Sequence, residues 1–372
     1  MAFRPLALDK DIHSIKDLKD KGSAKLPREY REYFNEGAMD MLTVRDNEEA
    51  FNRYRIRPRI MTDVSNIDTT TELFGIQIAF PFGFSPAAMH QLAHPEGEVG
   101  TSKGAAVIGC PMLLSTYFTK SLEDVIAEGK GNPYAYQITM IKDRVKTVEM
   151  IRRAEAAGYR VIILTMDCPV LGRRLNEFRN AFVMLAGMRY PNVDPEADAS
   201  KSLDVGGEGM RYEDNLNWAE VAQFLRSTTK LPLWIKGVYT SDDVILAIKY
   251  GFNGVIISNH GGRQLDSVPA TLDALRECAP AARGKIPIGI DSGIRRGTDI
   301  FKAIALGADF CLSGRVPIWG LAWNGAAGVE LALRTLKAEF EMAMSLAGCK
   351  TVKEISRHHL SVLNSEGLLC KL

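Results

Sequence analysis

Side chains that could do chemistry stand at the carboxyl ends of short apolar runs along this chain: Asp167, Lys236, His260, Arg263, Asp291, Arg295 and Arg315. A buried charge costs several kcal/mol unless it is paired or put to use, so such a set is not explained by packing. Asp167 and His260 are the types needed for an imidazole base oriented by a carboxylate. The seventh and eighth runs end in glycine with arginine, at Asp291-Ser292-Gly293-Ile294-Arg295 and Ser313-Gly314-Arg315. Glycines expose backbone N–H groups and arginine supplies a fork of donors, a combination suited to phosphate. Together these residues call for an anionic group and proton chemistry, and they leave the group unnamed.

The elements that must position them alternate. Apolar runs at 81–86, 105–115, 134–139, 160–167, 232–236, 254–259, 286–291 and 308–314 suit strands buried on both faces. Between them, 144–157, 241–250 and 298–306 carry apolar residues at helical spacing. Eight such strands within about 250 residues fit a closed (β/α)8 TIM barrel of the α/β class, in which the strand ends carry the chemistry. The expected organisation is one domain over 1–372: a helical N-terminal cap at 1–79, the barrel at 80–350 and a tail at 351–372. One connection is long. About fifty residues separate Asp167 from a helix near Trp218, and 189–215 is rich in Gly, Asp, Glu and Pro, as expected of an active-site lid after the fourth strand.

The charge balance, 46 basic against 45 acidic residues, offers no field for nucleic acid or an anionic membrane. The apolar segment 181–188 is too short to span a bilayer. The N-terminus lacks the apolar region of a secretory signal. The six cysteines are scattered without metal-ligand spacing, so reduced, mostly packed thiols and no metal are expected. The C-terminal Cys370-Lys371-Leu372 resembles the small-basic-leucine tripeptide of peroxisomal import, which makes a peroxisomal location the expectation and a cytoplasmic one the alternative.

SNHGGRQLD at 258–266 closely resembles the signature of the FMN-dependent 2-hydroxy acid oxidases and dehydrogenases, the family of glycolate oxidase, lactate oxidase and the flavin domain of flavocytochrome lactate dehydrogenase. Further blocks resemble it in register: YRIRPRI at 54–60, AHPEGE at 93–98, LTMDCPVLGRR at 164–174 and IDSGIRRGTD at 290–299. The similarity runs from about residue 30 to beyond residue 357. It implies FMN as cofactor and oxidation of a small (S)-2-hydroxy acid. His260 matches the base, taking either the α-proton to give a carbanion or the hydroxyl proton while hydride leaves. Asp167 would stabilise the imidazolium. Arg174 and Arg263 match the substrate-carboxylate pair, and Tyr33 a tyrosine that hydrogen-bonds the same group. Lys236 resembles the lysine near flavin N1. For FMN the resemblance implies Ser85, Pro86 and Ala87 along the ring edge, and Ser115, Gln137, Thr165 and Ser258 on its polar atoms. Asp291 would meet the ribityl chain, and Gly293, Arg295, Gly314 and Arg315 the phosphate. Homotetramers or homo-octamers are expected by the same resemblance.

Two positions depart from the pattern. Thr139 stands where many members carry a substrate-contacting tyrosine, and Tyr117 where glycolate oxidases commonly carry tryptophan. The shorter Thr139 removes a long-reaching donor and opens space, which points to a substrate larger or differently substituted than glycolate. Oxygen is the expected acceptor, giving hydrogen peroxide, with a quinone- or protein-linked dehydrogenase as the alternative. A decarboxylating monooxygenase is a smaller possibility. Isomerase or aldolase chemistry on a phosphate-binding barrel, or a non-catalytic interaction role, fits the charged ring less well. His90 and His94, after the first strand, read as structural with a substrate-side role as the alternative, His358 and His359 as structural, Cys168 as packing with a redox thiol as the alternative, and Trp319 and Trp323 as packing or subunit contacts.

Overall fold

The computed structural model describes residues 7–194, 211–364 and 366–372. Three helices come first: α1 (Ile15–Ala24), α2 (Arg28–Asn35) and α3 (Leu42–Arg53), followed by the strand β1 (Tyr54–Ile56) and a hairpin of β2 (Thr71–Leu73) and β3 (Ile76–Ile78). The barrel then alternates: β4 (Phe82–Phe84), α4 (Gly97–Ile108), β5 (Met112–Leu114), α5 (Leu122–Ala127), β6 (Tyr134–Ile138), α6 (Arg144–Ala157) and β7 (Val161–Thr165). A short α7 (Leu175–Arg179) lies within the long connection, ahead of α8 (Trp218–Thr228) and β8 (Leu233–Val238). The circuit continues with α9 (Ser241–Lys249), β9 (Gly254–Ile257), α10 (Thr271–Ala282), β10 (Ile288–Ile290), α11 (Gly297–Leu306), β11 (Phe310–Ser313) and α12 (Arg315–Ala347). Strands β4 to β11 pair in parallel, and β11 closes on β4 through Cys311↔Phe82 and Ser313↔Phe84.

The barrel strands are apolar up to their carboxyl ends because both faces are buried, one on the helices and one on the barrel interior. Leu113, Ala135, Val161, Ile163, Trp234, Ile256, Phe310 and Leu312 fill the interior. Two rings there need missing side chains beside them. A Cβ on Gly254 would meet the Trp234 ring at 2.4 Å, and one on Gly289 would meet Phe310 at 2.4 Å.

Two expectations are corrected. The run 105–115 is not one strand: its first part is the end of α4, stopped by Gly109 in the left-handed region (φ +72°), and only Met112–Leu114 is strand. The helix is apolar because it packs on α12, where a Cβ on Gly104 would strike Ala326 O at 2.6 Å; a short apolar run does not distinguish a buried helix from a strand. The N-terminal segment is also not wholly helical, nor confined to one barrel end. Helices α2 and α3 lie over the C-terminal mouth, where Ala38 N–H donates to Gly262 O (2.8 Å) and Asn47 exchanges amide hydrogen bonds with Asn259 (3.0 and 2.8 Å). The β2–β3 hairpin plugs the opposite end, with Phe74 edge-on to Trp234 and Phe310. The tail joins this segment: β12 (Leu360–Leu363) pairs with β1, and β13 (Leu369–Lys371) pairs with β12.

Candidate active site

The expected strand-end residues converge at the C-terminal mouth. Asp167 leaves β7 and His260 follows β9, and the imidazole Nδ1 lies 2.7 Å from Asp167 Oδ1. A carboxylate accepts only, so Nδ1 is the donor in this contact, and in the neutral ring Nε2 is the nitrogen that can accept a proton. His260 is left-handed (φ +57°) and its amide donates to Ser258 Oγ at 3.0 Å, which fixes the ring at the turn. Lys236 reaches the same place through an irregularity in β8 between Lys236 and Val238. Gly237 is left-handed there (φ +97°), and a Cβ would meet Asp167 at 2.7 Å.

Charge is shared around this dyad. Lys236 Nζ lies 3.3 Å from Asp291 Oδ2 and 3.8 Å from Asp167 Oδ2, and donates to Ser258 Oγ at 2.8 Å. Burial by itself would raise the Asp167 pKa, but His260 and Lys236 outweigh it and hold the group below the usual carboxylate range. Burial would equally neutralise Lys236; Asp291 and Asp167 overcome that and raise its pKa, so the lysine stays charged. Asp291 also accepts from Ser85 (2.8 Å) and from Ser292 (2.8 Å). Asp167 Oδ2 is buried without a hydrogen bond, one open acceptor facing the lysine.

Beside the dyad, Arg174 and Arg263 share one carboxylate, Glu177 Oε1, at 3.2 and 3.7 Å. Arg263 stacks over the Tyr33 ring (4.6 Å) and donates to the Tyr33 and Glu36 carbonyls. Its burial, then the like charge of Arg174, lowers its pKa. Two cations sharing one acid leave room for a second anion. Glu177 was not singled out from sequence, although its i,i+3 spacing from Arg174 was a readable signal.

At the strand ends facing this cluster, Ser115, Gln137, Thr139 and Thr165 are all buried. Gln137 accepts from Thr116 N–H (3.2 Å) and donates to Thr139 Oγ1 (3.1 Å), and Ser115 Oγ accepts from Tyr117 N–H (3.2 Å). Pro86 and Ala87 are half-buried after β4. A Cβ on Gly314 would have only Ala87 (3.7 Å) and Ser85 (4.0 Å) near it, so the mouth is open there.

Arg315 completes the set. Its guanidinium donates to Phe34 O (2.8 Å), Gly261 O (2.9 Å) and Glu36 O (2.9 Å). Burial, with Arg295 and Arg263 nearby, pushes its pKa down to about 9. Arg295 is paired with Glu48 at 3.0 Å and lies over the Trp319 ring at 4.8 Å. Two buried guanidiniums thus share one nearby glutamate. Gly293, expected at the phosphate, is also required by packing. A Cβ there would lie 1.9 Å from Asn47 O, so this glycine (φ +82°) allows α3 to approach.

Among the histidines read as structural, His90 is buried with Nδ1 on Thr101 (2.9 Å), and His359 contacts Ser356 and Cys349. The lid expectation over 189–215 falls partly on 195–210, outside the described residues. Its return is described: Arg211 O accepts from Lys142 N–H (2.9 Å) and Glu213 N–H donates to Met140 O (3.0 Å).

This geometry, a base–acid dyad with a buried lysine beside carboxylate- and phosphate-sized cation clusters, has a counterpart in known proteins. Residues 22–362 match the FMN-dependent dehydrogenase family. The chain belongs to that family, among the enzymes that oxidise 2-hydroxy acids, and its cofactor is FMN. It is 49% identical over 361 residues to "Oxidase FUB9" of Gibberella moniliformis, covering 96% of this chain and 93% of that protein. With glycolate oxidase of Spinacia oleracea it shares 42% over 359 residues, 94% of this chain and 96% of the relative. A solved mandelate oxidase with (S)-2-phenylpropionate superposes with a TM-score of 0.86 at 32% identity, over 94% of this chain and 99% of that one.

The residues fit the cofactor. The under-compensated Arg315, buried among cations, suits a phosphate, and the open mouth at Gly314 leaves room beside Ser85 and Ala87.

Proposed function

We propose that the protein oxidises an (S)-2-hydroxy acid to the 2-oxo acid with molecular oxygen as acceptor, releasing hydrogen peroxide. The observation that carries this reading is the Asp167–His260 contact of 2.7 Å beside two arginines that share a single carboxylate. Arg174 and Arg263 would clamp the substrate carboxylate, with Tyr33 beside them. His260 Nε2 would accept the proton leaving the substrate, and Asp167 would stabilise the imidazolium so formed. Bound FMN supplies the two-electron acceptor. Ser85, Pro86, Ala87, Ser115, Gln137, Thr165 and Ser258 would surround its ring, Lys236 would hold positive charge beside it, and Asp291 would meet the ribityl chain. Gly293, Arg295, Gly314 and Arg315 would hold the phosphate.

The substrate is larger than glycolate in this reading. Thr139 ends short at the mouth, and Tyr117 and Tyr190 pack edge-on (5.6 Å) beside it as an aromatic wall. Relatives named as oxidases, and a structural neighbour that holds an aryl acid, support both the acceptor and the size. We place the enzyme in the peroxisome as a homo-oligomer, tetramer or octamer. Cys370 and Lys371 of the tripeptide that supports this address are paired to β12 in β13, so an import receptor would have to lift them from it.

The test is a panel of glycolate, lactate, 2-hydroxyoctanoate and mandelate, added without oxygen to the yellow enzyme before air is admitted. Bleaching by a bulky acid, with colour and peroxide returning in air, is the expected result. Bleaching that air reverses only slowly would assign a quinone or protein acceptor instead. Glycolate turnover with no gain for bulkier acids would remove the size argument.

A further inference from the structure

Tyr212 is not among the strand-end residues, yet the fold carries it to the site. It lies where the long β7–α8 connection returns, in an antiparallel bridge with Ile141, two residues beyond Thr139. The hydrogen bonds 140–213 and 142–211 flank that bridge. The adjoining Glu213 is clamped by Arg144 through a two-bond fork (3.0 and 2.7 Å), and the same guanidinium holds Glu220 of α8 at 2.5 Å. A loop residue fixed by backbone pairing and a bidentate ion pair is pre-organised in a way that isolated loop side chains are not.

Its ring faces inward. The centroid is 6.1 Å from that of Tyr117, and the two hydroxyls interact. Arg174, Tyr33 and Cys168 are close enough to act on the Tyr212 hydroxyl electrostatically. Burial raises its pKa above that of an ordinary phenol, so it is a neutral donor at any working pH. Just beyond β6, Thr139 Oγ1 accepts from Gln137 Nε2 (3.1 Å), and a threonine hydroxyl stands closer to its own backbone than a phenol does.

We propose that Tyr212 is a substrate-binding residue whose hydroxyl donates to the carboxylate end of the 2-hydroxy acid, delivering from the loop a contact that strand β6 does not supply at Thr139. The proposal rests on the oxidase reading above. A consequence follows for specificity. With the phenol entering from the loop, the volume over Thr139 stays open for the substrate's side chain, so bulk and carboxylate recognition are separated.

The experiment uses the FMN-loaded enzyme and Tyr212→Phe, which keeps the ring and its packing. Losing one donor to a carboxylate lowers kcat/KM roughly ten- to a hundredfold, mostly through KM. Equilibrium binding of the 2-oxo acid made from the best substrate, read by calorimetry, weakens by a similar factor while FMN content is unchanged. Tyr212→Ala loses as much, and adding Thr139→Tyr to it restores part of the loss with activity shifted towards smaller acids. Binding and kcat/KM of Tyr212→Phe within twofold of the parent would overturn the proposal. So would a loss that vanishes in a Tyr117→Phe background, since Tyr212 would then only orient Tyr117. A parent enzyme that oxidises no 2-hydroxy acid would instead remove the reading beneath it.

Discussion

Asp167→Asn is the most informative single change at the dyad, because it removes a charge and little else. The amide is nearly isosteric, and its oxygen can still accept from His260 Nδ1, now 2.7 Å from the carboxylate. The counter-charge for a protonated His260 is lost. Two unit charges about 4 Å apart attract by about 4 kcal/mol at an effective dielectric constant of about 20. With half to all of that charge developed at the transition state, the barrier rises by about 2 to 4 kcal/mol, or roughly thirty- to a thousandfold in rate. Lys236 keeps Asp291 at 3.3 Å, so the lysine and the fold should persist. The assay is anaerobic flavin reduction by stopped flow, with FMN content and melting temperature as controls. If Asp167 works through His260, Asp167→Asn combined with His260→Gln is no slower than His260→Gln alone. A fully loaded Asp167→Asn enzyme that reduces its flavin within threefold of the parent would refute the reasoning.

Three further outcomes follow from the geometry. Arg315→Gln should weaken FMN binding roughly ten- to a hundredfold, the worth of a charge-assisted hydrogen bond, measured by fluorescence recovery of released flavin. Gly293→Ala should lose both stability and FMN: an alanine at φ +82° costs about 1–2 kcal/mol by itself, and its Cβ would collide with Asn47 O; a melting temperature equal to the parent's would refute this. Lys302, buried in α11 with Nζ on Phe51 O (2.9 Å), has its pKa lowered to about 8 by burial, against the pull of Asp299. Its folded pKa is below the unfolded value of 10.5, so the folded state binds fewer protons and stability rises with pH from the folded pKa towards the unfolded one. Urea unfolding should therefore show the parent gaining roughly 2 kcal/mol on Lys302→Met between about pH 7.5 and about pH 9.5. No change in that difference would contradict a depressed lysine.

Much of the site was legible because a parallel barrel writes its chemistry at strand ends. A charged residue directly after an apolar run is costly to bury without a use, so Asp167, Lys236, His260 and Asp291 stand out in the sequence alone. Glycine was harder to read. Gly293 and Gly314 look alike in the sequence, but one admits the backbone of α3 and the other borders open space. The run 105–115 was ambiguous for a related reason, since burial on both sides makes helix and strand equally apolar.

The sequence by itself determined the alternation of barrel strands and helices, the closed barrel and the side chains that ring its mouth, because these depend on local periodicity and on the cost of placing charge after a buried run. Only the tertiary structure decided which partners those charges keep: Glu177 between Arg174 and Arg263, Glu48 on Arg295, and Tyr212 beside Tyr117. Apart from the local Arg174–Glu177 pair, each of these contacts joins segments far apart in the chain, brought together at the barrel mouth or by the return of a long loop. Such contacts leave no periodic trace, because their energies depend on distance through space and not on separation along the chain.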